Sequence, residues 1–95
     1  MPSHERTRRF DRDLGDLTPA QRRRSASAFE RFDADLAKGN FRFSLRVKRV
    51  GGTDSVFEMT WAADGRATFQ YGDSQGVGAH VILRRIGAHK VFKRP

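Results

Sequence analysis

No cysteine occurs among the 95 residues, which excludes a disulfide framework and thiolate metal ligation and fits a reducing compartment. No apolar run approaches the length of a membrane span. The first residues, Met1-Pro2-Ser3-His4-Glu5-Arg6, carry charge where a signal peptide needs an apolar stretch, so the chain is expected to stay in the cytoplasm. Internal repeats and low-complexity tracts are absent as well. The length suits one domain, residues 1–95, with a core near the small end of what folds alone.

Acidic side chains are the minority: 19 Lys and Arg stand against 11 Asp and Glu, a net charge of +8. The excess is uneven. Residues 1–40 hold nine basic and seven acidic groups (9 − 7 = +2), residues 41–95 ten and four (10 − 4 = +6). Such a field concentrates polyanions and speeds their encounter, so RNA, DNA or an acidic protein is the expected partner.

The first part of the chain reads as helix. Phe10, Leu14 and Leu17 recur at helical spacing, which predicts a short amphipathic helix from about Glu5 to Asp16. Thr18-Pro19-Ala20-Gln21 is a start signal, with Thr18 as cap, Pro19 in the first helical position and Gln21 reaching back to the Thr18 amide. Ala26, Phe29, Phe32 and Leu36 continue one apolar face until Lys38-Gly39-Asn40, where Gly39 can take the left-handed conformation that ends a helix. An antiparallel helical hairpin follows from this. Arg22-Arg23-Arg24 reads as solvated helix surface.

After Asn40 the period falls to two. Phe43, Leu45 and Val47 alternate with Ser44, Arg46 and Lys48, as in a strand with one face buried. Gly51-Gly52-Thr53-Asp54 turns the chain, and Val56 to Ala62 alternates again with Phe57, Met59 and Trp61 on one face. Asp64-Gly65 signals a hairpin into Arg66 to Tyr71. Gly72-Asp73-Ser74-Gln75-Gly76-Val77-Gly78 is a flexible connection, and Val81, Ile82, Leu83 and Ile86 form a last strand apolar enough to be central. Helices first and an antiparallel sheet afterwards make an α+β fold, the helical hairpin packed on a mainly antiparallel four-stranded sheet. The opposite sheet face would carry Arg46, Lys48, Glu58, Thr60 and Arg84, a shallow and mostly cationic surface. Trp61, Phe57, Met59, Phe69 and Tyr71, on one face by alternation, read as packing. His80, opening the last strand, is expected to face solvent, and His4 to sit in a disordered end.

Leu45-Arg46-Val47-Lys48-Arg49-Val50-Gly51, Val56-Phe57-Glu58-Met59, Gly65-Arg66-Ala67-Thr68-Phe69, Ile86-Gly87-Ala88-His89 and Phe92 follow one another in an order that resembles the RelE/ParE family of small toxins from toxin–antitoxin pairs. The pattern runs through basic strand, aromatic-Glu strand, arginine-starting strand and a terminal glycine-basic-aromatic element. The likeness extends from Phe10 to Phe92. The motifs are short and degenerate, and their order carries the signal.

What the resemblance implies is a metal-independent, ribosome-dependent endoribonuclease that cleaves messenger RNA, without a cofactor and neutralised by an acidic antitoxin. Arg66 falls at the family's strand arginine, which contacts the scissile phosphate. His89 falls where relatives carry histidine or arginine, and Phe92 at the terminal aromatic. Arg46 and Lys48 lie in the region that supplies further phosphate-binding cations, and Arg84 is a further candidate. RNA brings its own nucleophile, so the protein must move protons and stabilise the phosphorane. His89 suits the general acid because imidazole titrates near neutrality. The planar Arg66 guanidinium matches paired phosphate oxygens, and Phe92 is placed to stack on a base. Glu58 is a weak candidate for general base; an ion pair with a neighbouring arginine is its expected role. Two other readings stay open: the ParE-like branch, which inhibits DNA gyrase by protein binding, and a non-catalytic basic nucleic-acid-binding module, since fold does not settle function.

Overall fold

Thr18 begins the longest element as its neighbours require. In the computed structural model, which describes residues 3–73 and 80–88, its hydroxyl accepts from the Gln21 amide while the Gln21 side chain accepts from the Thr18 amide. With Pro19 in the first turn this capping box opens α2, Pro19–Lys38. Gly39 closes it at φ 78°, in the left-handed region where a side chain is disfavoured. A shorter helix, α1, spans Arg8–Asp16 and is capped by Thr7, whose Oγ1 accepts from the Phe10 amide.

The expected helix from Glu5 is corrected at its start. Ser3–Arg6 is a strand, β1, running parallel to the last strand with Glu5 opposite Ile82 and Arg6 opposite Leu83. His4 therefore belongs to the sheet and lies 3.5 Å from Asp33, not in a loose end. Thr7 joins the two elements: its hydroxyl donates to the Arg84 carbonyl while capping α1.

The alternating stretch after Asn40 is also corrected. Phe43–Leu45 forms a single 3₁₀ turn, and Arg46 follows in the left-handed conformation at φ 49°, ψ 46°. Only Lys48–Arg49 pairs as strand, β2. Leu45 is buried as its pattern predicts, whereas Phe43 stands 87% exposed. A period of two over so few residues is met equally by a tight turn that tucks one apolar side chain under and leaves the other outside.

The remaining strands are β3 (Phe57–Ala62), β4 (Gly65–Gly72) and β5 (His80–Ala88). The sheet order is β1-β5-β4-β3-β2, antiparallel except for β1. The α+β architecture stands with five strands rather than four, the added one being β1. The last strand lies inside the sheet, between β1 and β4. The expected connection lies outside the described residues from Ser74 to Gly78, as do His89, Phe92 and the basic tail.

Alternation sends Met59, Trp61, Ala67, Phe69, Val81, Leu83 and Ile86 into one core with Phe10, Leu17, Ala28, Phe32 and Leu36 from the helical layer. Val81, Leu83 and Ile86 do not share a strict period of two. The register resets this: Phe69 faces Leu83 while Thr68 faces Arg85, so β5 carries one extra residue, Arg84. The aromatic rings knit the layers together. Phe10 meets Phe29, Phe29 meets Phe32 and Phe32 meets Phe69, all edge to face with centroids 6.2, 5.9 and 5.0 Å apart. Asp13 of α1 fixes that helix to β5, accepting from Arg85 Nε at 2.6 Å and from the Ile86 amide at 3.2 Å.

Candidate nucleic-acid interface

Two groups of cations can be located. The first surrounds the exit from α2. Asp35, in its last turns, is 4% exposed and accepts from the Arg42 amide, Nε and Nη2 at 2.9, 2.8 and 2.9 Å. The Arg42 side-chain hydrogen bonds, then its amide, hold the Asp35 carboxyl down at about 2. This fork orients the 3₁₀ turn, because Arg42 is the residue that opens it. Beyond the turn, the Arg46 guanidinium carbon lies 5.9 Å from the centroid of the Phe43 ring. Lys48 follows, 70% exposed. Together Asn40, Phe41, Arg42, Phe43, Arg46, Val47 and Lys48 line an open concavity of about 450 Å³.

The second group lies along the sheet face turned from the core. The register puts Lys48 opposite Glu58, Glu58 opposite Thr68, and Thr60 opposite Arg66, so these side chains share that face. It is less open than expected, for Glu58 and Thr68 are buried. Glu58 takes its ion pair from Lys48, Nζ to Oε1 at 3.7 Å, rather than from an arginine. Arg66 is half-buried and turned back on its own hairpin. Its Nη1 donates to the carbonyls of Ala62, Ala63 and Gly65 at 3.2, 3.3 and 2.9 Å. Its own carbonyl accepts from Trp61 Nε1 at 3.0 Å. Arg84, the extra residue of the bulge, donates to the Gln70 side chain.

Of the residues singled out from the sequence, Arg46 and Lys48 are brought together in one concavity. Arg66 shares a sheet face with Lys48, but two strand spacings and two residues separate their Cα atoms, on the order of 12 Å. Arg84 binds at Gln70, four residues along β4 from Arg66 and so about 13 Å away. His89 and Phe92 lie outside the described residues. His80 is not solvent-facing: it is 8% exposed and lies 3.9 Å from Glu5. Tyr71, read as packing, meets Phe57 and Phe69 but is 47% exposed, and the more exposed aromatic that alternation assigned to the buried side is Phe43. The one available signal was its setting between arginines, Arg42-Phe43-Ser44-Leu45-Arg46.

A mainly antiparallel sheet under two helices, with Arg46, Lys48 and Arg66 among its exposed or half-buried cations, defines a small basic α+β protein. No protein-family model and no curated protein matches the chain. Solved structures do. A copper-bound mutant toxin from Helicobacter pylori superposes with a TM-score of 0.67 at 16% identity, over 95% of this chain and 97% of its own. The RelB-RelE antitoxin-toxin complex from Methanococcus jannaschii gives 0.61 at 15% identity, over 93% of each chain. The fold is thus RelE-like, as the order of motifs implies. Among the described residues no helix is long and apolar enough to cross a membrane.

Proposed function

We infer that this protein is the toxin of a toxin–antitoxin pair and acts as a metal-independent, ribosome-dependent endoribonuclease on messenger RNA. The observation that carries the reading is the near end-to-end likeness to two toxin structures, one of them in complex with its antitoxin. The cations around β2 and the β3–β4 hairpin add to it. In this reading the 2′-hydroxyl of the message gives up its proton to water and attacks the adjacent phosphorus, a 2′,3′-cyclic phosphate forms and the bond to the 5′-oxygen breaks. His89 gives the departing oxygen its proton. Arg66 stabilises the phosphorane charge by turning its guanidinium from the hairpin carbonyls toward the phosphate. Arg46, Lys48 and Arg84 draw in the backbone, and Phe92 holds a base. An acidic antitoxin that folds on binding neutralises the basic surface.

The deciding experiment is induction of the wild type and of His89→Ala, following growth and message integrity together. Wild-type induction should arrest growth and leave messages cut within their coding regions, and His89→Ala should do neither while remaining folded. Arrest with intact messages would end the nuclease reading. A second reading, gyrase inhibition, is favoured by the bonding of Arg66 to its own hairpin, which a phosphate-binding site does not require. It predicts toxicity that survives His89→Ala and is accompanied by DNA damage.

A further inference from the structure

We propose that Phe43 and Arg46 form a stacking platform for an unpaired base of single-stranded RNA, with Lys48 holding the adjoining phosphate. The proposal deepens the RNA reading above and rests on it for the choice of RNA over DNA. Three observations carry it.

Phe43 is the most exposed large apolar side chain among the described residues, at 87%. Packing does not account for it. Its neighbour Leu45, in the same 3₁₀ turn, is 1% exposed and supplies the turn's anchor to the core.

Arg46 occupies a left-handed backbone position, φ 49°, that Gly or Asn would take with less strain. The conformation sets its guanidinium 5.9 Å from the Phe43 ring centroid, so the ring and the cation form one unit. An outlier of this kind, next to an unpacked aromatic, is what a binding surface retains against local stability.

The concavity beside them holds Arg42, Arg46 and Lys48 and no carboxylate in its lining. The charge of Arg42 is matched by Asp35; Lys48 lies 3.7 Å from the buried Glu58 but its side chain is 70% exposed, so Arg46 and Lys48 are the cations facing outward. Phe43 helps to line this open, cation-bearing concavity and yet stands 87% exposed. It therefore offers a flat face to lie against, which suits a nucleobase. An acidic peptide would need a slot for its apolar side chains. Base stacking on an aromatic, an arginine at its side and a neighbouring ammonium for the backbone is the recurrent chemistry of single-strand binding.

The test uses the full chain and a fluorescein-labelled, 2′-O-methylated single-stranded RNA of about twelve nucleotides, followed by anisotropy across a salt series. Because the probe has no free 2′-hydroxyl, binding is read apart from cleavage. Phe43→Leu should weaken binding about tenfold, and Phe43→Trp should match or exceed the wild type. Arg46→Gly should weaken binding without loss of thermal stability, and Lys48→Gln should lower the slope of log K against log salt by about 0.7, the value for one phosphate contact on a single strand. Equal binding by Phe43→Leu and wild type overturns the proposal. So does failure of the wild type to bind the probe, or a Phe43→Leu defect seen only with an acidic Glu/Leu-rich peptide. A chain that binds through Phe43 but leaves messages intact on induction retires the nuclease and keeps the platform. A chain that cleaves and is indifferent to Phe43→Leu does the reverse.

Discussion

Asp35 and Arg42 are joined by three hydrogen bonds, two from the guanidinium and one from the backbone amide, across the end of α2. The pair converts a helix terminus into a fixed point of departure for the turn that carries Phe43 and Arg46. Its pH signature has a definite sign. The Asp35 carboxyl is lowered from 3.8 to about 2, chiefly by the Arg42 side chain. Its stabilisation is therefore fully present above the ordinary value and lost as pH falls through the lowered one. The urea midpoint of the wild type should exceed that of Asp35→Asn by a constant amount near neutrality, and the gap should close between about pH 4 and pH 2. A gap unchanged across that window would mean that the Asp35 charge contributes nothing.

Gly65 is demanded by a side chain rather than by its own backbone. The hairpin residues Asp64-Gly65 suggest a glycine needed for a positive φ, yet among the described glycines only Gly39 and Gly52 have one. A Cβ on Gly65 would instead lie 2.5 Å from Cδ2 and Cε2 of the Trp61 indole. The indole cannot swing aside without losing its bond to the Arg66 carbonyl. Gly65→Ala should therefore cost about 1 to 3 kcal/mol by overpacking. Urea denaturation monitored by Trp61 fluorescence checks this, with a red-shifted folded-state emission as the local sign. A variant as stable as the wild type would show that the hairpin yields freely.

What the sequence disclosed and what it concealed divide along the range of the interactions involved. The α2 boundaries are legible because Thr18, Pro19, Gln21 and Gly39 act on backbone within a few residues of themselves. Strand β1 is not, since the partner that makes Ser3–Arg6 extended lies at His80–Leu83, and Glu5 and Arg6 carry no local preference against helix. The bulge at Arg84 is hidden for the same reason: Val81-Ile82-Leu83-Arg84-Arg85-Ile86 shows a broken period, and only pairing with β4 assigns the break. At the candidate site, Arg46 and Lys48 are visible as cations between apolar residues. The exposure of Phe43 follows from the 3₁₀ turn it begins, and the left-handed Arg46 that closes the turn is a conformation no arginine announces in advance.

Asp13 and Arg85 should be the costliest ion pair to break. Both side chains are mostly buried, 15% and 19% exposed. The same carboxylate also takes the Ile86 amide of a central strand. Asp13→Ala removes the acceptor of both groups in a poorly hydrated place and should destabilise by about 3 kcal/mol. Asp13→Asn, which keeps the volume and one acceptor, should cost about half as much. Chemical denaturation gives the magnitudes, and faster amide exchange in β5 should appear in Asp13→Ala first. Equal stability of Asp13→Ala and wild type would reduce α1 docking to its apolar contacts alone.

In the nuclease reading Arg66 carries two roles that one substitution can separate. Nη1 binds three carbonyls of the β3–β4 hairpin, a duty that a lysine ammonium, with three donors, can largely take over. Pairing with two phosphate oxygens at once requires the planar fork, which lysine lacks. Arg66→Lys should thus remain within about 1 kcal/mol of wild-type stability and yet lose about 100-fold in cleavage of messages on programmed ribosomes. Arg66→Ala should lose both. The two readouts must come from one preparation, because a drop in cleavage equal to the drop in folded fraction would identify Arg66 as a brace for its hairpin and move the phosphate contact elsewhere on the sheet.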